Sequence, residues 1–301
     1  MSATQTHARV RRVGIVAKRH LHEAASLLDD IADWLVLRGL SPIFETETAQ
    51  LGASGRAWPR ASREDLPREV DLMLVLGGDG TLLGMADRIA MAAAPVPILG
   101  VNFGSLGFLT EITLPELYPS LESVIEGRAA YDERCLLRAV VAHGDGRPPL
   151  ERIVLNEIVV TKGAMSRIID LCVSVDEEFV ANFKADGLIL ATPTGSTAYN
   201  LSAGGPIVHP QVPAFLITPI APHTLTNRPV VVPSSATVTI RHIVDEEPRE
   251  LFVTFDGQDG CPLSPADTVR VARAPHPIRL VRAATRSYFE VLRRKLKWAE
   301  R

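Results

Sequence analysis

Cysteine is scarce in this 301-residue chain: three residues, Cys135, Cys172 and Cys261, widely separated and odd in number. That excludes a framework of paired disulfides and a cysteine-based zinc site, and it fits a reducing compartment. Long hydrophobic runs are lacking too, since no stretch approaches the ~18 uninterrupted apolar residues of a membrane span. The first twelve residues are polar and basic, without the apolar stretch that would follow in a signal peptide. A cytoplasmic protein with no membrane partner is expected. Neither sign of charge dominates: 32 Lys plus Arg stand against 35 Asp plus Glu, a formal net charge of −3. With no cationic footprint for phosphate backbones, nucleic acid is not an expected partner. What is present is a globular composition, 46% hydrophobic and 22% charged, enough for a sizeable core in one large domain or two. No internal repeat or low-complexity tract supports a solenoid or a disordered scaffold.

The first third alternates apolar runs with amphipathic segments, as a parallel sheet flanked by helices requires. Residues 13–17 read as a strand. Over 21–37, Ala24, Leu27, Leu28, Ile31, Trp34 and Leu35 recur at spacings of three and four, and Gly39 ends the helix. Residues 50–68 have no clear period and read as an exposed loop with one short helix at most. An apolar strand at 70–76 then runs into two glycines, and helical spacing resumes over 81–94. A further strand at 96–101 ends in Asn102-Phe103-Gly104-Ser105-Leu106-Gly107-Phe108. Two glycine-rich turns thus follow neighbouring strands, where ligands collect in open α/β sheets. After Pro115 the texture becomes short Val- and Ile-rich runs separated by turns, including 136–142, 153–161, 168–175, 180–184, 236–243, 251–255, 268–272 and 278–281, which predicts a mostly β domain. Residues 286–298 read as a closing helix that returns to the first domain.

Three groups of residues could carry chemistry. In Gly77-Gly78-Asp79-Gly80-Thr81 the glycines allow close backbone approach and the N–H groups can face phosphate oxygens. A carboxylate is costly beside bound phosphates unless it takes a proton from a nucleophile or holds a metal ion, and both tasks belong to phosphoryl transfer. The plain alternative is an Asp-Gly turn after a buried strand. The spacing matches neither a Walker A loop nor Gly-x-Gly-x-x-Gly. Second, Asp186-Gly187 leads through a strand into Thr192-Pro193-Thr194-Gly195-Ser196-Thr197-Ala198-Tyr199 and Ser202-Ala203-Gly204-Gly205. That density of hydroxyls and glycines offers donors to a polyphosphate, beyond what a capped helix start needs. Third, Asn156-Glu157 interrupts an apolar strand, and the pair suits two ribose hydroxyls. Side chains alternate along a strand, so the two face one ligand only if the strand bulges or ends there.

In order and spacing these groups resemble the NAD kinase family of bacteria over most of the chain. Pro219-Ile220-Ala221-Pro222-His223-Thr224-Leu225, Arg228-Pro229 and Asp256-Gly257-Gln258 add to the likeness. The glycine-Asp turn is shared more loosely with phosphofructokinases and lipid kinases. The Thr-Pro-Thr-Gly-Ser-Thr-Ala-Tyr run is far more specific. The resemblance implies an α/β + β fold: a Rossmann-like parallel α/β domain over 1–114, a β-rich NAD-binding domain over 115–281 and a helical segment over 282–301. It implies transfer of the γ-phosphoryl of ATP to the 2′-hydroxyl of the adenosine ribose of NAD, with a divalent cation such as Mg²⁺. Asp79 would accept the proton. Gly80, Asn156, Glu157, Asp186 and the residues Thr197, Ala198, Tyr199, Asn200, Leu201 and Ser202 would hold the dinucleotide, with Arg167 and Lys184 near its phosphates and Gln258 as a weaker candidate. A homo-oligomer, dimer or tetramer, is implied as well. Two readings compete: another kinase with the same turn and a lipid or sugar-phosphate acceptor, and a dinucleotide sensor without turnover. Asn156-Glu157 and the threonine-rich run speak against the first.

Overall fold

The computed structural model describes residues 10–21, 24–52, 56–104, 106–163, 167–243 and 250–298. Ser105 of the second glycine turn, residues 22–23 of the first expected helix and 53–55 of the expected loop lie outside the described residues. The chain divides into two compact units, Met1–Glu133 with Ile278–Arg301, and Arg134–Pro277.

The first unit runs β1 (Arg12–Ala17), α1 (Ala25–Leu37), β2 (Ser41–Glu45), β3 (Arg60–Ala61), α2 (Leu66–Glu69), β4 (Leu72–Gly77), α3 (Asp79–Met91), β5 (Ile98–Asn102), β6 (Ile112–Thr113), α4 (Leu117–Ile125) and β7 (Tyr131–Arg134). Helix α1 buries Leu28, Ile31, Ala32 and Leu35, the face set by the three-and-four spacing. It stops at Gly39, whose φ of +72° is left-handed backbone. All six residues of β4 are buried, because the strand pairs in parallel with β1 on one side and β5 on the other. A strand enclosed on both faces needs a continuous apolar run and not an alternating one.

The second unit contains β8 (Leu137–Ala142), β9 (Leu150–Val154), β10 (Glu157–Lys162), β11 (Ile169–Val175), β12 (Glu178–Ala185), β13 (Gly187–Ala191), α5 (Tyr199–Ser202), β14 (Ala214–Ile220), β15 (Val230–Pro233), β16 (Val238–His242), β17 (Leu251–Phe255), β18 (Asp259–Leu263) and β19 (Thr268–Arg273). They form two sheets, in the orders β15-β14-β13-β10-β17-β18 and β12-β11-β16-β19-β8-β9. Val141, Leu171 and Ile240 of one sheet share a buried cluster with Ile158, Leu188, Phe215 and Val253 of the other, so the two pack face to face.

The chain then returns to the first unit. Strand β20 (Ile278–Val281) pairs in parallel with β5, giving the order β3-β2-β1-β4-β5-β20-β7 with β6 also on β5. Helix α6 (Tyr288–Leu296) follows, its N-terminus capped by Ser287 and its buried face made by Val291 and Leu292. The sequence borders at 114/115 and 281/282 therefore differ from those of the compact units. Leu117, Leu121 and Val124 of α4 share a core cluster with β1 and β4, which keeps the segment after Pro115 in the first unit. Residues 278–281 have the same texture as the antiparallel strands before them, and pairing alone assigns them to the parallel sheet. Residues 50–68 contain the start of one short helix, α2, as the loop reading allowed, and a two-residue strand, β3, which it did not include. No helix among the described residues is long and apolar enough to cross a membrane.

Leu74 is fully buried in the middle of β4, whereas Leu37 is 84% exposed at the end of α1. Leu74→Ala is expected to cost about 3–5 kcal/mol of unfolding free energy in urea titrations, from lost transfer energy plus the cavity left behind. Leu37→Ala, the control, is expected to stay within about 0.5 kcal/mol of the parent.

Candidate active site

The glycine turn delivers Asp79 to the first turn of α3, with Gly78 as the extended N-cap. A carboxylate there is favoured by the helix dipole. It is held from the facing loop. Asp79 Oδ2 accepts the Phe108 N–H at 2.8 Å, while Oδ1 accepts the Leu109 and Thr110 N–H groups at 3.2 and 3.0 Å and the Thr110 hydroxyl at 2.8 Å. The Asn102 amide nitrogen donates to that same hydroxyl at 2.9 Å, and its amide oxygen accepts the Gly104 N–H at 2.6 Å. The donor and acceptor ends of Asn102 are thereby assigned, and the Thr110 proton must point at Asp79. Gly107 makes the approach possible, because a Cβ there would lie 2.0 Å from Asp79 Oδ1. Oδ2 has one donor among the described residues and keeps room for another. Gly80 is exposed beside it.

In the second unit the Asn156-Glu157 pair does not interrupt one strand. It sits where β9 ends and β10 begins, and these belong to different sheets. Leu155 and Asn156 form the corner, so the strand ends at the pair as the sequence reading required for the two to face one ligand. Asp256 secures it by accepting the N–H groups of Leu155, Asn156 and Glu157 at 2.8, 2.8 and 2.9 Å. Thr192 closes it from the other side, donating to the Leu155 carbonyl at 2.6 Å through its hydroxyl and to the Asn156 carbonyl at 2.9 Å through its N–H. Gly195 crosses so near that a Cβ would lie 2.2 Å from the Asn156 carbonyl oxygen. The Tyr199 N–H donates to the Glu157 carboxyl group, whose Oε2 is buried without a hydrogen-bond partner. Burial foremost, and the Asp256 charge second, push the Glu157 carboxyl up to about 8.

The other sequence candidates separate into two places within this unit. Thr197, Ala198 and Tyr199 lie with the corner, Tyr199 being 43% exposed. Ser202 is exposed and Leu201 half-buried at the end of α5. Asn200 is fully buried, and its side chain is committed inside the fold: the amide nitrogen donates to the Ser196 and Pro206 carbonyls and the oxygen accepts from Thr218. Its expected part in holding a ligand therefore has no free side-chain group to use. Gln258 is exposed on the β17–β18 turn beside Asp256. Asp186, Lys184 and Arg167 lie elsewhere. Asp186 precedes β13 and meets Lys162 at 3.7 Å, Lys184 pairs across β12 and β11 with Asp170, and Arg167 leads into β11. The whole of β13, five residues or about 16 Å, separates this group from Glu157, which pairs with Ala191 at the far end. The residue reading missed Asn102 and Thr110 as the anchors of Asp79, and Asp256 as the anchor of the corner. The Asp-Gly dipeptide at 256–257 was the one local signal for the last. No group of three or more His, Cys, Asp and Glu among the described residues is arranged to hold a metal ion.

Glu157 gives the stability of this unit a pH dependence. The unfolded carboxyl ionises near its usual 4.5 and the folded one near 8, so between them the native state holds more protons. Stability therefore falls as pH rises through that window and levels off above it. Glu157→Gln removes the contribution. Its unfolding free energy, measured against the parent at several pH values, is expected to gain steadily from pH 5 to pH 8.5; a constant difference would contradict the buried, protonated carboxyl.

Two family models match the chain: the ATP-NAD kinase N-terminal domain over residues 13–129 and the ATP-NAD kinase C-terminal domain over 155–283. An NAD kinase of Geotalea daltonii is 48% identical over 97% of this chain and all of its own length. One of Geobacter sulfurreducens is 47% identical with the same coverage. Among solved structures, yeast NADH kinase in complex with NADH is similar with a TM-score of 0.86 and 26% identity, over 97% of this chain and 89% of its own. An NAD kinase of Archaeoglobus fulgidus in complex with ATP shares the fold, with a TM-score of 0.72 over 95% of this chain and 98% of its own. The chain belongs to the ATP-NAD kinase family, and it is an enzyme of the NAD kinase type.

Proposed function

We propose that this chain transfers the γ-phosphoryl of ATP to the 2′-hydroxyl of the adenosine ribose of NAD, giving NADP and ADP, and that Asp79 accepts the hydroxyl proton. Family membership supports the reaction. The observation that carries the role of Asp79 is its cradle: three consecutive N–H groups and the Thr110 hydroxyl fix the carboxylate while Oδ2 stays open to a further donor. An acceptor hydroxyl would be that donor. In a largely dissociative transfer the hydroxyl becomes acidic late, so a carboxylate that orients it and takes its proton as the new P–O bond completes is sufficient. Four donors sharpen the position of the carboxylate, and position is the larger need here. Backbone N–H groups of the 77–80 turn, at the start of α3, suit the phosphate oxygens.

The buried Glu157 Oε2 lacks a partner, which suits a ribose hydroxyl, and Asn156 and the 197–199 segment stand beside it. For Arg167, Lys184, Asp186 and Gln258 the support is the family likeness alone. Mg²⁺ fits as part of the incoming ATP complex, since an ion carried by phosphates needs only one or two protein carboxylates. When bound, it neutralises charge on the transferred group. Locating the protein in the cytoplasm as a homo-oligomer completes the reading.

The testing experiment is a steady-state comparison of NAD and NADH as acceptors with ATP and polyphosphate as donors. Turnover of ATP with NAD to NADP is expected, and binding of NAD without ADP release under any divalent ion would favour a sensor. Asp79→Asn is expected to fold and bind NAD but to lose a hundredfold or more of kcat, about the contribution of a positioned base. Near-parental kcat would remove Asp79 from this role. Gly107→Ala, which drives a methyl into the Asp79 carboxylate, is expected to reduce kcat by a similar order, about a hundredfold, with KM for NAD little changed.

A further inference from the structure

The β17–β18 turn holds an aspartate to which the proposed transfer assigns no step. Asp256 lies at φ +49°, followed by Gly257 at +62°, so the turn is built from two left-handed residues. Through it the carboxylate reaches the corner between the two sheets and gathers the consecutive N–H groups of Leu155, Asn156 and Glu157. The contact is reciprocal, since the Asp256 N–H donates to the Glu157 carbonyl at 3.0 Å. Leu155 and Asn156 belong to neither strand, so without Asp256 their N–H groups would face an interior that penalises unmade hydrogen bonds.

We propose that Asp256 is a positioning residue of the dinucleotide site: it folds the chain so that Asn156 and Glu157 leave one corner together, and its charge biases Glu157 toward meeting the ligand as a hydrogen-bond donor. The proposal rests on the reading that this corner holds NAD. Glu157 is 7% exposed. Its electrostatic neighbours are few. Asp256 opposes its ionisation, and the Tyr199 N–H favours it. Ala191 on β13 stands opposite, and residues 192–198 bring no ionisable side chain. Arg134 approaches that segment at the Thr194 hydroxyl, 3.4 Å away. Burial and the Asp256 anion act together, so at neutral pH Glu157 retains its proton and Oε2, which has no partner among the described residues, is free to donate to a ribose oxygen. When Glu157 ionises, the same oxygen becomes an acceptor for a ribose hydroxyl. One buried carboxyl would thus change the polarity of its hydrogen bond as pH rises through about 8, the Asp256 charge adding to burial in placing that point.

Asp256→Asn tests this, because asparagine tolerates left-handed backbone and keeps one carbonyl acceptor while removing the charge. KM for NAD is expected to rise about tenfold with kcat within about threefold of the parent, the signature of a lost binding contribution. The Glu157 carboxyl resonance, followed by ¹³C NMR in the ligand-free protein, is expected to titrate at lower pH in Asp256→Asn, and the pH dependence of KM to move with it. In a Glu157→Gln background the charge removal is expected to leave the pH profile unaltered. An unchanged Glu157 titration, whether or not stability falls, overturns the proposal and leaves Asp256 a purely structural turn residue. If Asp256→Asn does not fold, the parent protein decides: the Asp256 carboxyl resonance must inflect at the pH where Glu157 ionises, and its failure to do so overturns the coupling. Because the NMR readouts need no turnover, a parent enzyme inactive with ATP and NAD would defeat the proposed function separately.

Discussion

Backbone N–H groups that leave a strand inside the fold must find acceptors, and in this protein carboxylates supply them at the points where the chain changes direction. Asp79 takes the consecutive N–H groups of Phe108, Leu109 and Thr110, and Asp256 takes those of Leu155, Asn156 and Glu157. Buried Glu45 takes those of Glu47 and Thr48, and buried Asp267 those of Gly144 and Ser264. A carboxylate can do this because it has four acceptor sites and no donor, so it completes a turn whose amides all point one way. The formal charge of −3 therefore conceals acids that work as pieces of backbone structure.

The same device has different chemical results in the two units. Asp79 is half-buried at the head of α3, and being held fixes the direction of its carboxylate, which suits the proton-accepting role proposed for it. Asp256 is committed to three amides of the corner, and its charge adds to burial in keeping the neighbouring Glu157 protonated. Close approach is the shared cost. Gly107 beside Asp79 and Gly195 across Asn156 each stand where a Cβ would overlap a polar atom. Gly107 and Gly195 are thus explained by room for a side chain or a backbone to pass, and neither has a positive φ.

Much of the site was legible because its chemistry is local. A strand ending in Gly77-Gly78-Asp79, and hydroxyls crowded between Thr192 and Tyr199, can be read without knowing what they face. Asn156-Glu157 showed as polar residues in an apolar run, and the reading required a bulge or an ending there; the ending proved to be a change of sheet. The commitment of the Asn200 side chain was not legible, because burial is not a local property. Its amide is satisfied by Ser196, Pro206 and Thr218, the last eighteen residues away, on β14. Lys184 and Asp186 looked contiguous with the threonine-rich run in sequence, yet a strand is long for its residue count and puts them at its other end.

By itself the sequence determined the kinds of element, a parallel α/β part followed by a β-rich part and a closing helix, and it singled out the glycine turns and the Asn-Glu pair as the places where chemistry is expected. These follow from residue type, spacing and periodicity, which act over a few positions. Only the tertiary structure decided that residues 278–281 join the first sheet, that the chain crosses between sheets at Asn156, and that Asp79 and Asp256 each serve three amides on another segment. Those choices depend on which distant donors are left unpaired once the sheets form, and no short window of sequence contains that information.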